Sequence, residues 1–114
     1  MEKALTIYKA SAGSGKTFTL ASEYITLVVK NPQDYSRILA VTFTNKATQE
    51  MKMRILTQLY GIAHSLKESQ PYFEQVQPKT DLPEITIREN AAEALSLLTH
   101  HYNYFRVLTI DAFS

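Results

Sequence analysis

Residues 10–17 are Ala-Ser-Ala-Gly-Ser-Gly-Lys-Thr, and this stretch decides the fold. It follows an apolar run of strand length, residues 4–8, and it precedes apolar residues that recur at helical spacing as far as Val29. Small residues and glycines allow successive backbone amides to converge on one anion. The helix that follows points the positive end of its dipole at the same anion. The sequence therefore predicts a strand–loop–helix unit that binds a polyphosphate.

This stretch is a Walker A sequence in which alanine replaces the usual first glycine. Lys16 would reach the β- and γ-phosphate oxygens of ATP, and the Thr17 hydroxyl would ligate Mg²⁺, so both are candidate catalytic residues. A glycine-rich turn that happens to precede a lysine is the alternative. The loop alone does not separate helicases from kinases, GTPases or transporters. The residues that would hold the nucleotide are Ala12, Gly13, Ser14, Gly15, Lys16 and Thr17.

Two further apolar runs of strand length occupy residues 37–43 and 106–110. The unbroken run at residues 37–43 suits a parallel strand that is covered on both faces. A second helix is predicted from Asn45, because apolar residues then fall at intervals of four and three. This apolar stripe contains Met51, Ile55, Leu59, Ile62 and Leu66.

A third helix is predicted near Thr86, whose spacing to Glu89 is that of a capping box. Its buried face would contain Ile87, Ala91, Ala94, Leu95 and Leu98. Residues 67–83 contain three prolines and no periodicity, so we predict a loop or an insertion there. The order strand, helix, strand, helix, helix, strand predicts an α/β fold with a parallel sheet flanked by helices.

The composition narrows the class of protein further. With 114 residues and 45% hydrophobic residues, the chain can form one small domain or part of a larger one. The absence of cysteine excludes disulfides and thiolate metal sites, and a net charge of +1 gives no sign of nucleic acid binding by bulk charge. No apolar run reaches the length of a membrane span, and no export signal is present, so we expect a cytoplasmic protein with no membrane partner.

Residues 38–47 are Ile-Leu-Ala-Val-Thr-Phe-Thr-Asn-Lys-Ala, a strand that ends in polar residues. Open α/β sheets bind ligands at the carboxyl ends of their strands. Phe43 would offer a flat face to an unpaired base, although it could equally be a core aromatic. Lys46 could instead be a solvated lysine on the first turn of the helix. The side chains that could donate hydrogen bonds to phosphate oxygens are Thr42, Thr44, Asn45 and Lys46.

Three segments in family order resemble the motifs of superfamily 1 helicases of the UvrD/Rep type. Residues 10–17 resemble motif I, residues 38–47 resemble motif Ia, and residues 107–113 (Val-Leu-Thr-Ile-Asp-Ala-Phe) resemble motif Ib. Asp111 is a feature of the RecB-like exonuclease branch, since UvrD-type enzymes usually have histidine there.

The resemblance implies that residues 1–114 are the N-terminal part of motor domain 1A, a partial P-loop NTPase domain of RecA-like fold. It further implies ATP and Mg²⁺ as cofactors, 3′–5′ translocation on single-stranded DNA, and partner subunits of a helicase–nuclease complex. It places Thr109 and Phe113 near the DNA strand, although both could simply close the edge of the sheet.

Hydrolysis requires more than residues 10–17 provide. An acidic pair after a strand and a transition-state arginine are needed, and neither is found here, so we expect the chain alone to bind nucleotide weakly without useful turnover. Few residues precede Ala4, so the glutamine segment that reads adenine in UvrD-type enzymes is not found. A different P-loop protein such as a kinase, and a module that binds nucleotide or DNA without turnover, are the alternatives.

Overall fold

The computed structural model describes residues 3–5 and 14–109, with side chains from residue 16 onward. Among these residues the strands are β1 (Lys3–Leu5), β2 (Ile38–Thr42) and β3 (Arg106–Thr109). The α-helices are α1 (Ser14–Lys30), α2 (Asn45–Ala63), α3 (Gln70–Thr80) and α4 (Glu84–His100). Short 3-10 turns span Pro32–Arg37, Lys67–Ser69 and Tyr102–Tyr104.

The three strands form one parallel sheet in the order β1-β2-β3, which confirms the predicted parallel sheet. Connections between parallel strands are almost always right-handed. Because β1, β2 and β3 lie in the sheet in the same order as in the chain, both connections cross the same face, and the connecting helices lie on that face. Burial alternates along β2 accordingly: Ile38, Ala40 and Thr42 are buried, whereas Leu39 and Val41 are only half-buried. The chain is therefore a helix-rich α/β fold.

The expectation that β2 is covered on both faces is met only in part by the described residues, because Leu39 and Val41 are half-buried. Leu108 of β3 pairs in register with Val41, shares its face, and is 50% exposed. The apolar runs could not predict which face is more exposed, because Leu39, Val41 and Leu108 are as apolar as their buried neighbours. The order of the strands in the sheet determines which face the helices cover.

The helices bury the apolar stripes that the sequence predicted. Met51, Ile55, Leu59 and Ile62 of α2 are at most 1% exposed. Leu66 does not continue this stripe, since α2 ends at Ala63 and Ser65 adopts the left-handed conformation with φ 56°. In α4 the buried residues are Ile87, Ala91, Ala94 and Leu98, while Leu95 is half-buried.

Residues 67–83 are not a loop, because the helix α3 occupies most of them. Pro71 lies in the first helical turn, where proline has no intrahelical hydrogen bond to lose. Pro78 lies inside the last turns, where its missing N–H costs one helical hydrogen bond. Tyr72, Phe73 and Val76 bury one face of α3, and this burial offsets that loss.

The start of α4 also differs from its prediction. The helix begins at Glu84 after Pro83, which is in extended conformation and provides no side-chain cap. Thr86 therefore lies inside the first turn and does not form a capping box with Glu89. Proline at position 83 disfavours a helical conformation in Leu82, which keeps the helix from extending further towards the N-terminus.

Two contacts bring the helices together at their ends. A Cβ at Gly61 would overlap the Ser69 side chain, so glycine is needed where α2 approaches the following 3-10 turn. The Arg88 guanidinium of α4 donates to the Ile62 carbonyl at 2.7 Å and lies 4.4 Å from the Phe73 ring centroid. Arg88 thus satisfies a carbonyl at the end of α2 while it packs on α3.

Tyr24 of α1 provides a test of this core. Its ring is fully buried, its hydroxyl has no hydrogen-bond partner among the described residues, and burial raises the pKa of that hydroxyl above its ordinary value of 10.0. Because the pKa of Tyr24 is higher in the folded state than in the unfolded state, folding favours the neutral hydroxyl. Its contribution to stability is fully present below pH 10 and is lost as the pH rises further. The free energy of unfolding should then fall by up to about 1.4 kcal/mol per pH unit.

We expect Tyr24→Phe to remove this alkaline dependence and to leave stability at pH 7 unchanged or slightly raised, since no hydrogen bond is removed. Urea unfolding at a series of pH values between 8 and 11 measures how the free energy of unfolding depends on pH. Tyr60→Phe is the matched control, because Tyr60 is 50% exposed. Identical pH profiles for the two variants would contradict the burial of the Tyr24 hydroxyl.

Candidate functional site

The carboxyl ends of the parallel strands lie at one edge of the sheet, which we call the carboxyl edge. It is formed by the ends of β1, β2 and β3 at Leu5, Thr42 and Thr109. The N-terminus of α2 is at this edge, because only Phe43 and Thr44 separate it from β2. The C-terminus of α1 connects through a short turn to the amino end of β2, so the N-terminus of α1 faces the carboxyl edge as well.

Thr44 begins α2 as its N-cap, in extended conformation with φ −132° and ψ 157°. Its Oγ1 accepts a hydrogen bond from the Ala47 amide at 3.0 Å, and its carbonyl accepts from the Thr48 amide at 3.0 Å. The amides of Asn45 and Lys46 precede the first intrahelical hydrogen bond, as at any helix start. The helix therefore presents two amides without an intrahelical acceptor, here called free amides, and the positive end of its dipole at the carboxyl edge.

Four of the predicted DNA-contacting residues are exposed around this helix start. Phe43 is 37% exposed, and Thr44, Asn45 and Lys46 are exposed as well. Together they place an aromatic face, a hydroxyl, an amide and an ammonium group beside two free backbone amides. This arrangement can bind a phosphate and a flat, unpaired base at the same time.

Thr42 does not share this exposure, although the sequence predicted that its hydroxyl would face a phosphate. Its side chain is fully buried, on the same side of β2 as Ala40. The Thr42 Oγ1 lies 2.6 Å from the Thr48 Oγ1, 3.3 Å from the Thr44 carbonyl oxygen and 3.4 Å from the Leu108 carbonyl oxygen. The prediction is wrong because strand alternation turns this side chain towards the helices.

The remaining predicted residues are described in part. Lys16 is exposed and Thr17 is half-buried, both in the first turn of α1. Ser14 and Gly15 are the first two residues of α1. Thr109 ends β3, is half-buried and pairs in register with Thr42. The predicted nucleotide-binding residues Ala12 and Gly13, and the predicted DNA-contacting Phe113, lie outside the described residues.

Lys52, one turn beyond Thr48 on α2, is half-buried. Its Nζ lies 4.8 Å from the Tyr102 ring centroid and 5.6 Å from the Phe105 ring centroid. Burial lowers the pKa of this ammonium group. The cation therefore packs against two aromatic rings.

Comparisons with known proteins agree with the motif order. The UvrD/REP helicase N-terminal domain family matches residues 2–113. The chain is 32% identical to the RecBCD enzyme subunit RecB of Escherichia coli (strain K12), over 94% of this chain and 10% of that protein. It is 42% identical to the RecBCD enzyme subunit RecB of Chlamydia muridarum (strain MoPn / Nigg), over 66% of this chain and 7% of that protein.

A third relative is the A subunit of the ATP-dependent helicase/nuclease of Clostridium novyi (strain NT), 51% identical over 43% of this chain and 4% of that protein. The chain thus spans a tenth or less of the length of these relatives. No solved structure matches the chain. None of the described helices has the length and apolar character to span a bilayer. The chain belongs to the UvrD/REP helicase family, on its RecB-like branch.

Proposed function

We propose that this chain is the N-terminal part of motor domain 1A in a larger DNA helicase. That enzyme couples ATP hydrolysis to 3′–5′ translocation on single-stranded DNA during recombination or repair. The observation that carries the proposal is the α2 start at the carboxyl edge, where an N-terminal dipole, two free amides and exposed Phe43 and Lys46 converge. The match of residues 2–113 to the family supports it.

ATP with Mg²⁺ is the proposed ligand of residues 12–17 in a P-loop NTPase fold. The Walker A sequence, the α1 start at Ser14 and the exposed Lys16 support this assignment. In the first turn of a helix, Lys16 can reach phosphate oxygens while the helix dipole stabilises the same negative charge. Thr17 would ligate the magnesium ion, which neutralises charge on the phosphates during transfer.

Single-stranded DNA is the proposed partner of residues 43–46, with Thr109 and Phe113 beside them. The amides of Asn45 and Lys46 and the Lys46 ammonium would bind a phosphate, and Phe43 would stack on a base. Such contacts do not depend on base identity, because every phosphate and every base face offers the same chemistry. A motor that moves along DNA needs contacts of this kind.

Partner subunits of a helicase–nuclease complex are also proposed. The names of the relatives describe one subunit of the RecBCD enzyme and one of an ATP-dependent helicase/nuclease, so those proteins are parts of larger assemblies. Copurification of the full-length protein from its own cells, followed by a nuclease assay on linear DNA, tests this. A monomer that neither recruits another protein nor degrades DNA would argue against the assignment.

The DNA contact is tested by Lys46→Glu in the full-length protein. We expect affinity for an oligothymidylate to fall about tenfold, because a cation that neutralises a phosphate becomes an anion. The slope of log affinity against log salt should become shallower by about 0.7 for each phosphate that the protein no longer neutralises. Binding titrations between 50 mM and 200 mM salt measure both quantities.

Lys67→Glu is the matched control, since it makes the same charge change at an exposed lysine beyond the opposite end of α2. The part of α2 from Lys46 to Ala63 spans about 25 Å and separates the two positions. Lys67→Glu should leave the salt slope unchanged. Equal salt slopes for Lys46→Glu and the unmodified protein would remove Lys46 from the DNA contact.

A further inference from the structure

Two buried hydroxyls connect three segments of the carboxyl edge. The Thr42 side chain ends β2 and is fully buried, and the Thr48 side chain, in the first turns of α2, is 7% exposed. Their Oγ1 atoms lie 2.6 Å apart. The Thr42 Oγ1 is also 3.3 Å from the Thr44 carbonyl oxygen and 3.4 Å from the Leu108 carbonyl oxygen of β3.

The number of hydroxyl protons on Thr42 and Thr48 limits how many hydrogen bonds these groups can form. Each hydroxyl donates one hydrogen bond, whereas the carbonyls of Thr44 and Leu108 only accept. If Thr48 donates to Thr42, the single proton of Thr42 is left for one of the two carbonyls, and the set makes two hydrogen bonds. If Thr42 donates to Thr48 instead, Thr42 provides nothing to either carbonyl. The first arrangement makes more hydrogen bonds, and it makes the Thr48 hydroxyl the origin of a relay.

We propose that Thr48 is a positioning residue for DNA binding, which acts through Thr42 to hold the Phe43–Thr44 turn against β3. The inference rests on the proposed function of that turn. The relay reaches Thr44, whose own side chain caps α2, and Leu108, which precedes Thr109 at the end of β3. It therefore connects the two strand ends that carry the proposed DNA contacts.

Packing alone does not account for a hydroxyl at position 48. Valine has nearly the same shape as threonine, and it would fill this buried place without the cost of burying a polar group. A hydroxyl adds direction, because its hydrogen bond weakens steeply as the donor–acceptor geometry departs from the preferred one. With Thr42 held in this way, the adjacent Phe43 is kept 37% exposed at the edge while both of its neighbours are anchored.

Two comparisons test the contribution of the hydroxyl while the size of the side chain changes little. All variants are made in the full-length protein. Thr48→Val is compared with the unmodified protein, and Thr48→Ala is compared with Thr48→Ser. We expect loss of the hydroxyl to weaken oligothymidylate binding about fivefold within each pair. Affinity for Mg²⁺–ATP in the absence of DNA should stay unchanged, because the relay does not reach α1. A general loss of folding would lower both affinities together.

Equal DNA affinity within the Ala/Ser pair would overturn the proposal, and so would a parallel loss of ATP affinity. If Thr48→Val does not fold, the Ala/Ser pair decides, since alanine is tolerated well in helices. Phe43→Ala, measured beside them, bears on the proposed DNA surface itself. Weaker binding in Phe43→Ala with equal affinities in the Ala/Ser pair would leave the DNA surface in place and exclude the relay.

Discussion

Replacing Lys16 with alanine in the full-length protein is expected to reduce DNA-stimulated ATP turnover about 100-fold or more. Lys16 is exposed in the first turn of α1, directly after the glycine-rich residues of the Walker A sequence. In the proposed function its ammonium group binds the β- and γ-phosphates, where negative charge develops during hydrolysis. Phosphate release measured with and without oligothymidylate reports the loss.

Lys30→Ala is the matched control, because Lys30 is an exposed lysine at the other end of the same helix. It should leave turnover within about twofold of the unmodified protein, since its charge lies far from the bound phosphates. Turnover that survives Lys16→Ala would remove this residue from the mechanism. The 114-residue chain by itself should show no turnover that Lys16→Ala abolishes, because its sequence contains no two adjacent acidic residues.

Leu59→Ala is expected to lower the free energy of unfolding by about 2–5 kcal/mol, the second large effect. Leu59 is completely buried in the α2 stripe that packs against the other helices. Truncation removes apolar contacts and leaves a cavity that a close-packed core fills only in part. Urea unfolding followed by circular dichroism measures the change.

Met53→Ala is the control for Leu59→Ala on the same helix. Met53 is apolar and similar in size, but it is 63% exposed, so its loss should change stability by about 0.5 kcal/mol at most. The difference between the two variants reports the orientation of α2. Equal losses for Leu59→Ala and Met53→Ala would contradict the packing of this helix.

Local periodicity predicted much of the fold because it reflects burial directly. The α2 stripe through Leu59 and the α4 face through Ala91 were both confirmed, as was the parallel arrangement of the strands. The helix α3 was missed because Pro71 and Pro78 suggested a loop, although the first turn of a helix accepts proline. Tertiary burial of Tyr72 decided the conformation, and no local pattern of residues measures that burial.

At the carboxyl edge, the sequence predicted the position of the turn more accurately than the direction of each side chain. Thr44, Asn45 and Lys46 are exposed, as a phosphate contact requires. Thr42 is buried, because it follows the inward positions of β2, and this alternation was hidden by the unbroken apolar run. Thr48 escaped notice since its partner lies six residues away, on a strand, and no spacing rule connects strand and helix hydroxyls.

A structure of the full-length protein with a non-hydrolysable ATP analogue, Mg²⁺ and an oligothymidylate tests the central claim most directly. We predict that the triphosphate contacts the amides of residues 12–17 and the Lys16 ammonium, with Thr17 on the magnesium ion. A DNA phosphate should contact the amides of Asn45 and Lys46, with a base on Phe43. Nucleotide or DNA bound elsewhere, with the carboxyl edge covered by other protein, would contradict this account.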